Sequence, residues 1–282
     1  MPPRTRLSLD ADELRHLYVG QRLTTTGIAS QIGCASTTVL RRLREFGIPV
    51  RPRGPESGAL VDPETYAART TWSPAIAYAV GIITTDGCLA RDGRHLVVSS
   101  KDLDLLNTIR HCLGLGVAIT LYRSGPGRFC YRLQWSDRRF HAWLMGIGLM
   151  PAKTFSLGPL AIPDECMPDF VRGCIDGDGS ITLYLDRYHT AKNERYVYQR
   201  LYVSLVSASR PFIDWVRASV RRGAGLNGSI AQSVSKAKSP IWVLRYAKHE
   251  SIQLLRWVYE VPDAPCLARK RLKAEPFLRY RG

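Results

Sequence analysis

The sequence predicts an α+β chain: two pseudo-symmetric α-β-β-α-β-β-α repeats carrying antiparallel sheets, preceded by a small all-α helix-turn-helix domain. Three observations predict it. First, Ala79-Val80-Gly81-Ile82-Ile83-Thr84-Thr85-Asp86-Gly87 and Val171-Arg172-Gly173-Cys174-Ile175-Asp176-Gly177-Asp178-Gly179 share one frame. In each, an apolar run with a central glycine ends in Asp-Gly, and the acid follows that glycine by five positions. Second, the pattern of helices and strands after each segment is the same, and an internal duplication of that kind is read before anything finer. Third, residues 10–50 read as helices alone. With 282 residues, 45% of them hydrophobic, the chain has material for one large and one small core.

The domains are expected at 1–50, a basic linker at 51–71, a first repeat at 72–160 and a second at 161–282. In the first domain Asp10 caps a helix over 12–18. A second helix spans 25–31 and closes at Gly33. A third spans 36–46, with Val39, Leu40, Leu43 and Phe46 on its apolar stripe. Helix-Gly-helix is the order of a helix-turn-helix. The third helix would present Ser36, Thr37, Thr38, Arg41, Arg42 and Arg44, and Ser36, Thr37, Arg41 and Arg42 are the expected DNA contacts. A plain three-helix bundle with a solvated basic face is the competing reading. The linker Arg51-Pro52-Arg53-Gly54-Pro55-Glu56-Ser57-Gly58 punctuates the chain, and Arg51 and Arg53 would follow a phosphate backbone.

In the first repeat a helix is expected over 75–85. A hairpin follows over 88–99, with its turn at Asp92-Gly93. Then come a helix over 103–113, a hairpin over 117–135 turning at 124–127, and a helix over 137–147. The second repeat has a helix over 169–177, strands 180–187 and 196–207, and a helix over 210–222. Strands 229–234 and 241–247 and a helix over 249–259 complete it. The alternation in 181–186 puts Ile181, Leu183 and Leu185 on one face, toward the core. In 198–204 the polar set is Tyr198, Arg200, Tyr202 and Ser204. That face is either an ordinary solvated one or a surface laid in a DNA groove, with Arg200, Tyr202, Lys236 and Lys238 as contacts.

Forty lysines and arginines against 24 acids leave a formal net charge of +16, which draws polyanions, nucleic acid first. No run approaches the roughly 18 apolar residues of a membrane span. The start, Met1-Pro2-Pro3-Arg4, has no apolar stretch after it. The seven cysteines at 34, 88, 112, 130, 166, 174 and 266 form no Cys-x-x-Cys pair. Zinc is therefore not expected, and a reducing, cytoplasmic location is.

The duplicated acids carry the chemistry. Each is expected in the last turn of its helix, closed by a left-handed glycine, where the helix dipole disfavours a carboxylate. If Gly81 and Gly173 let the two helices approach closely, Asp86 and Asp178 also repel one another. A hard divalent cation with oxygen ligands relieves both, and Mg²⁺ suits a phosphate substrate. The stretch Asp176-Gly177-Asp178-Gly179-Ser180 is not a calcium loop, since Ile181 and Arg187 stand where glycine and glutamate are needed.

From about residue 72 onward the chain resembles the LAGLIDADG homing endonucleases in their single-chain, two-repeat form. The resemblance implies a saddle of two antiparallel sheets over a long, asymmetric double-stranded DNA target, cut by a monomer. It implies Asp86 and Asp178 as metal-binding acids, joined by the main-chain carbonyls of Thr85 and Gly177. It implies Mg²⁺ or Mn²⁺ as cofactor, with Ca²⁺ as a non-catalytic substitute. It also implies a lysine late in each repeat, matched by Lys153 and Lys270. The first motif departs from the pattern by carrying Thr84 where aspartate is usual, whereas Asp176 matches. Starting at Met1-Pro2 and finishing at Tyr280-Arg281-Gly282, the chain reads as a freestanding enzyme of a bacterial or phage-type intron or mobile gene, not a splicing element. A non-cleaving DNA-binding regulator and an RNA maturase are the alternatives on the same scaffold.

Overall fold

The computed structural model describes residues 10–21, 23–50, 67–125, 127–188, 195, 197–234 and 239–278. The chain forms two compact units, Met1–Asp62 and Pro63–Gly282. The expected contacts Arg51, Arg53, Lys236 and Lys238 lie outside the described residues. No described helix is long and apolar enough to cross a membrane.

The first unit is helical. Helix α1 (Ala11–Arg15) starts at Asp10, whose carboxylate accepts the Glu13 N–H at 2.7 Å, and runs into a π-helical turn at His16–Gly20. Helix α2 (Thr25–Ile32) is capped by the Thr24 hydroxyl and ends at Gly33, φ 72°, a left-handed closure that glycine adopts without strain. Helix α3 (Ser36–Glu45) follows after a short turn. Leu14, Tyr18, Ile28, Ala29, Val39, Leu43 and Ile48 make a small core of their own.

The second unit repeats one plan twice. The first pass is α4 (Pro74–Asp86), β1 (Gly87–Leu89), β2 (His95–Ser100), α5 (Leu103–Cys112), β3 (Ile119–Gly125), β4 (Arg128–Ser136) and α6 (Arg138–Gly146). The second is α7 (Met167–Asp176), β5 (Ser180–Asp186), β6 (Tyr198–Ser207), α8 (Arg210–Ala224), β7 (Ser229–Val234), β8 (Pro240–Tyr246) and α9 (Lys248–Val258). Each pass yields a four-stranded antiparallel sheet, ordered β1-β2-β4-β3 and β5-β6-β8-β7. A further helix, α10 (Ala268–Leu278), follows the second pass and has no counterpart among the described residues of the first.

The motif helices sit at the centre because their sequences leave no other place for them. Helix α4 is apolar on every side and is buried from Ile76 through Thr84, as a helix without a polar face must be. Ser73 caps it and Pro74 begins it. It packs along α7, and the contact is set by two glycines. A Cβ on Gly81 would lie 2.3 Å from the Phe170 carbonyl oxygen, and one on Gly173 would lie 2.3 Å from that of Tyr78.

Three expectations are corrected. The glycines after the acids are not left-handed: Gly87 has φ −89° and Gly179 is not among the positive-φ glycines. They are small because a Cβ would strike the main chain four residues back, 2.5 Å from Ile83 O and 2.6 Å from Ile175 Cα respectively. Asp178 is not in the last turn of its helix; α7 ends at Asp176, whereas Asp86 is the last residue of α4. Leu183 and Leu185 are 44% and 56% exposed, since the core beneath β5 ends at Ile181.

Candidate active site

Because α4 and α7 run together to a common end, the acids that follow their glycines meet there. A Cβ on Gly177 would lie 3.1 Å from Asp86 Oδ2, so the first repeat's carboxylate reaches the main chain beside Asp178. Burial, then the charge of Asp178, pushes the Asp86 carboxyl up to about 6; Lys270 and Lys153 pull against this. Asp178 is also raised, by burial first, with Lys153 and Lys270 opposing. Asp178 is itself exposed by surface area, so what raises its carboxyl is the protein packed around it displacing water, not enclosure of the whole side chain. Two acids and two lysines from both repeats thus lie within each other's fields.

Each lysine contacts main chain at the end of a motif helix. Lys153 follows Ala152, which holds φ 55°, the left-handed region that non-glycine residues occupy at a cost. Its ammonium donates to the Gly87 carbonyl, and burial pulls its pKa down. Lys270 is only 5% exposed. Its Nζ donates to the carbonyls of Ile175 (2.6 Å), Asp176 (2.8 Å), Gly177 (3.1 Å) and Gly179 (2.8 Å). Burial lowers it to about 8.

Of the two carbonyls the resemblance implies, that of Gly177 therefore faces an ammonium. Thr85 instead presses its side chain toward Gly177: an added Cβ there would lie 2.0 Å from Thr85 Oγ1. Among the described residues no three His, Cys, Asp or Glu side chains gather as a metal cluster. The donor set is two oxygen-bearing carboxylates held close against their repulsion. That set fits a hard divalent cation that keeps several waters.

Sequence reasoning missed the support of this site. Asp176 is 1% exposed and accepts from Leu267 N–H (2.7 Å), Tyr78 OH (2.9 Å) and Tyr259 OH (3.1 Å). Burial pushes its carboxyl up and those bonds draw it back. Thr84, at the same frame position in the first repeat, turns its hydroxyl back to its own helix and donates to Val80 O at 2.7 Å. Arg172, buried beside Tyr78, donates to Val258 O at 2.6 Å and Pro265 O at 2.8 Å. Arg269 bridges the repeats through both oxygens of Asp102, at 3.0 and 2.8 Å.

On the second sheet the strand register puts Thr182, Tyr184, Arg200, Tyr202 and Arg245 on one face. Tyr202 stacks on Tyr184 at 6.4 Å and lies under the Arg245 guanidinium at 5.4 Å. Arg200 is held by Asp186 at 3.0 Å. The first sheet has a matching pair that sequence reasoning passed over, Arg132 over Tyr122 at 3.4 Å. The alternation Arg128, Cys130, Arg132, Gln134 along β4 was the available signal. In the first unit Thr37, Arg41 and Arg44 are exposed, whereas Ser36 and Arg42 are half-buried and Arg42 pairs with Glu45 at 3.1 Å.

Among solved structures the chain is similar to the LAGLIDADG meganuclease I-AabMI bound to uncleaved DNA, with TM-score 0.51, 14% identity, and 73% of this chain and 89% of that one covered. The fold is of the LAGLIDADG type. The homing endonuclease I-LtrWI bound to target DNA matches with TM-score 0.48 at 13% identity, covering 72% of this chain and 88% of that one. Full-length DUF199/WhiA from Thermatoga maritima matches with TM-score 0.45 at 13% identity. That match covers 78% of this chain and spans 66% of the length of the other. No family model matches the chain, and no curated protein matches it. Identities this low speak to fold alone.

Proposed function

We propose that the chain is a metal-dependent, site-specific endonuclease that hydrolyses both strands of a long DNA target. The meeting of Asp86 and Asp178 carries this reading. A protein that only binds phosphates gains nothing by gathering two carboxylates against their repulsion beside its substrate. A nuclease needs them, because a divalent cation supplies the Lewis acidity that makes a water more acidic and neutralises a phosphate oxygen. The two acids would hold that cation, and Lys153 would meet charge developing on the phosphate. Arg132, Arg200, Arg245 and their tyrosines would lie along the backbone and bases. The first unit would add a second contact through Thr37, Arg41 and Arg44 on α3, acting as a helix-turn-helix.

The test is selection from a randomised duplex library in Mg²⁺, followed by mapping of the cut positions. Staggered double-strand breaks that vanish in Asp86→Asn and Asp178→Asn while binding persists are the expected result. Binding with no cut under any divalent cation would discard the nuclease reading and assign a non-cleaving regulator. Preference for structured RNA over duplex DNA would assign a maturase.

A further inference from the structure

The two lysines stand at matching places in the repeats but in unlike surroundings. Lys153 sits on a turn, half-buried, and spends one contact on the Gly87 carbonyl. Lys270 is enclosed and meets four carbonyls with three protons, so its donors are all engaged. Those carbonyls belong to the last residues of α7 and the loop beyond it, the acceptors that a helix end leaves without partners. They also form the negative end of the helix dipole.

Helix α10, which carries Lys270, is fastened on both sides. The Leu267 N–H binds Asp176, Arg269 grips Asp102, and Ala274 and Phe277 enter the core. A phosphate would have to strip Lys270 from two buried and two half-buried carbonyls to reach it, and each orphaned carbonyl would carry a desolvation cost. Lys153 would give up one such carbonyl, that of Gly87, where Lys270 would give up four.

We propose that Lys270 is a positioning residue: from α10 it clamps the main chain of Ile175–Gly179 and so fixes the loop from which Asp178 projects. The placement of Asp178 therefore depends on the C-terminal helix, whereas that of Asp86, the last residue of α4, does not. Lys153, held by one carbonyl instead of four, is left as the cation to serve the substrate. This consequence rests on the endonuclease reading; the clamp itself does not.

The test compares the full chain with Lys270→Met, Lys270→Arg and Lys153→Met, each well below its melting temperature. Amide hydrogen exchange is followed at Gly177 and Gly179, whose N–H groups bond Gly173 O and Cys174 O. In Lys270→Met both are expected to exchange about tenfold faster or more, and in Lys153→Met at the parent rate. Lys270→Arg, too broad for four converging carbonyls, should fall between. Equal protection in all four proteins overturns the clamp.

Tb³⁺ luminescence, with the ion alone as probe, gives the second reading. Removing a like charge should tighten binding several-fold in Lys153→Met. In Lys270→Met binding should weaken, because a displaced Asp178 outweighs the lost repulsion. Tightening in both would make Lys270 a plain charge and overturn its positioning role. Parent protein that neither binds Tb³⁺ nor cuts DNA would defeat the endonuclease reading, with the exchange result still deciding the clamp.

Discussion

Asp86 pits the needs of its site against those of the fold. Its carboxyl titrates near 6 in the folded chain, above the ordinary value of 3.8, because it is buried and faces Asp178. The native state therefore holds an extra proton between about pH 4 and 6, and its stability falls as pH rises through that window. Asp86→Asn removes the charge. After allowance for solvent screening, it should stabilise the fold at pH 7.5 by on the order of 1–2 kcal/mol, or about 3–6 °C. The gain should vanish near pH 4. Calorimetry at the two pH values checks it, and an equal shift at both would refute the burial of a charged Asp86. Ala152 makes a second trade, between strain and placement. At φ 55° it carries a penalty of about 1 kcal/mol that glycine would not. Ala152→Gly should raise the melting temperature while loosening the turn that presents Lys153, so that turnover of a selected target drops. A lower melting temperature would show that the turn is not strained.

Elements differ in how plainly the sequence announces them. Helices α4 and α7 were legible because each repeats a glycine in one frame, and that glycine sits where two backbones touch. The contact yields a sharp prediction. Gly173→Ala would place a Cβ 2.3 Å from Tyr78 O and 3.0 Å from Gly81 Cα, both main chain that cannot swing aside. A loss of about 3 kcal/mol is expected, read as a lower denaturant midpoint at constant slope. Gly116→Ala, with nothing within 4 Å, should change stability by less than about 0.5 kcal/mol. Helix α10 was not legible, although Lys270 itself was. Its buried positions are Lys270, Ala274 and Phe277, so a lysine stands in the apolar stripe and the pattern reads as a solvated face. Pro276 inside it argues further against a helix. The exposed Leu183 and Leu185 failed for a different reason: alternation tells which face a residue takes, not how far the layer beneath extends. Asp176 was legible only as a match to the motif, because the partners that give it a role are distant in sequence, at Tyr78, Tyr259 and Leu267.

At the scale of the whole molecule, two cores and one large positive charge set what should be seen in solution. Among the described residues the core of the first unit contains seven buried side chains, with Leu43 fully enclosed. Leu43→Ala costs about 2–5 kcal/mol at such a position, a large share of what so small a core supplies. Calorimetry should therefore show the first unit's transition lost or moved far down while that of the second unit stays in place. The same variant tests the DNA contact proposed for the first unit. With a net charge of +16, the parent should bind its selected duplex with a steep fall in affinity as salt rises. Losing a linked second contact should lower affinity by about a hundredfold or more, through effective concentration alone. The salt slope should flatten as well, since Arg41 and Arg44 would no longer displace counterions. Cut positions should not move, because Asp86 and Asp178 both belong to the second unit. Unchanged affinity and slope would leave the first unit with no part in holding the target, and shifted cut positions would mean that it directs the choice of site.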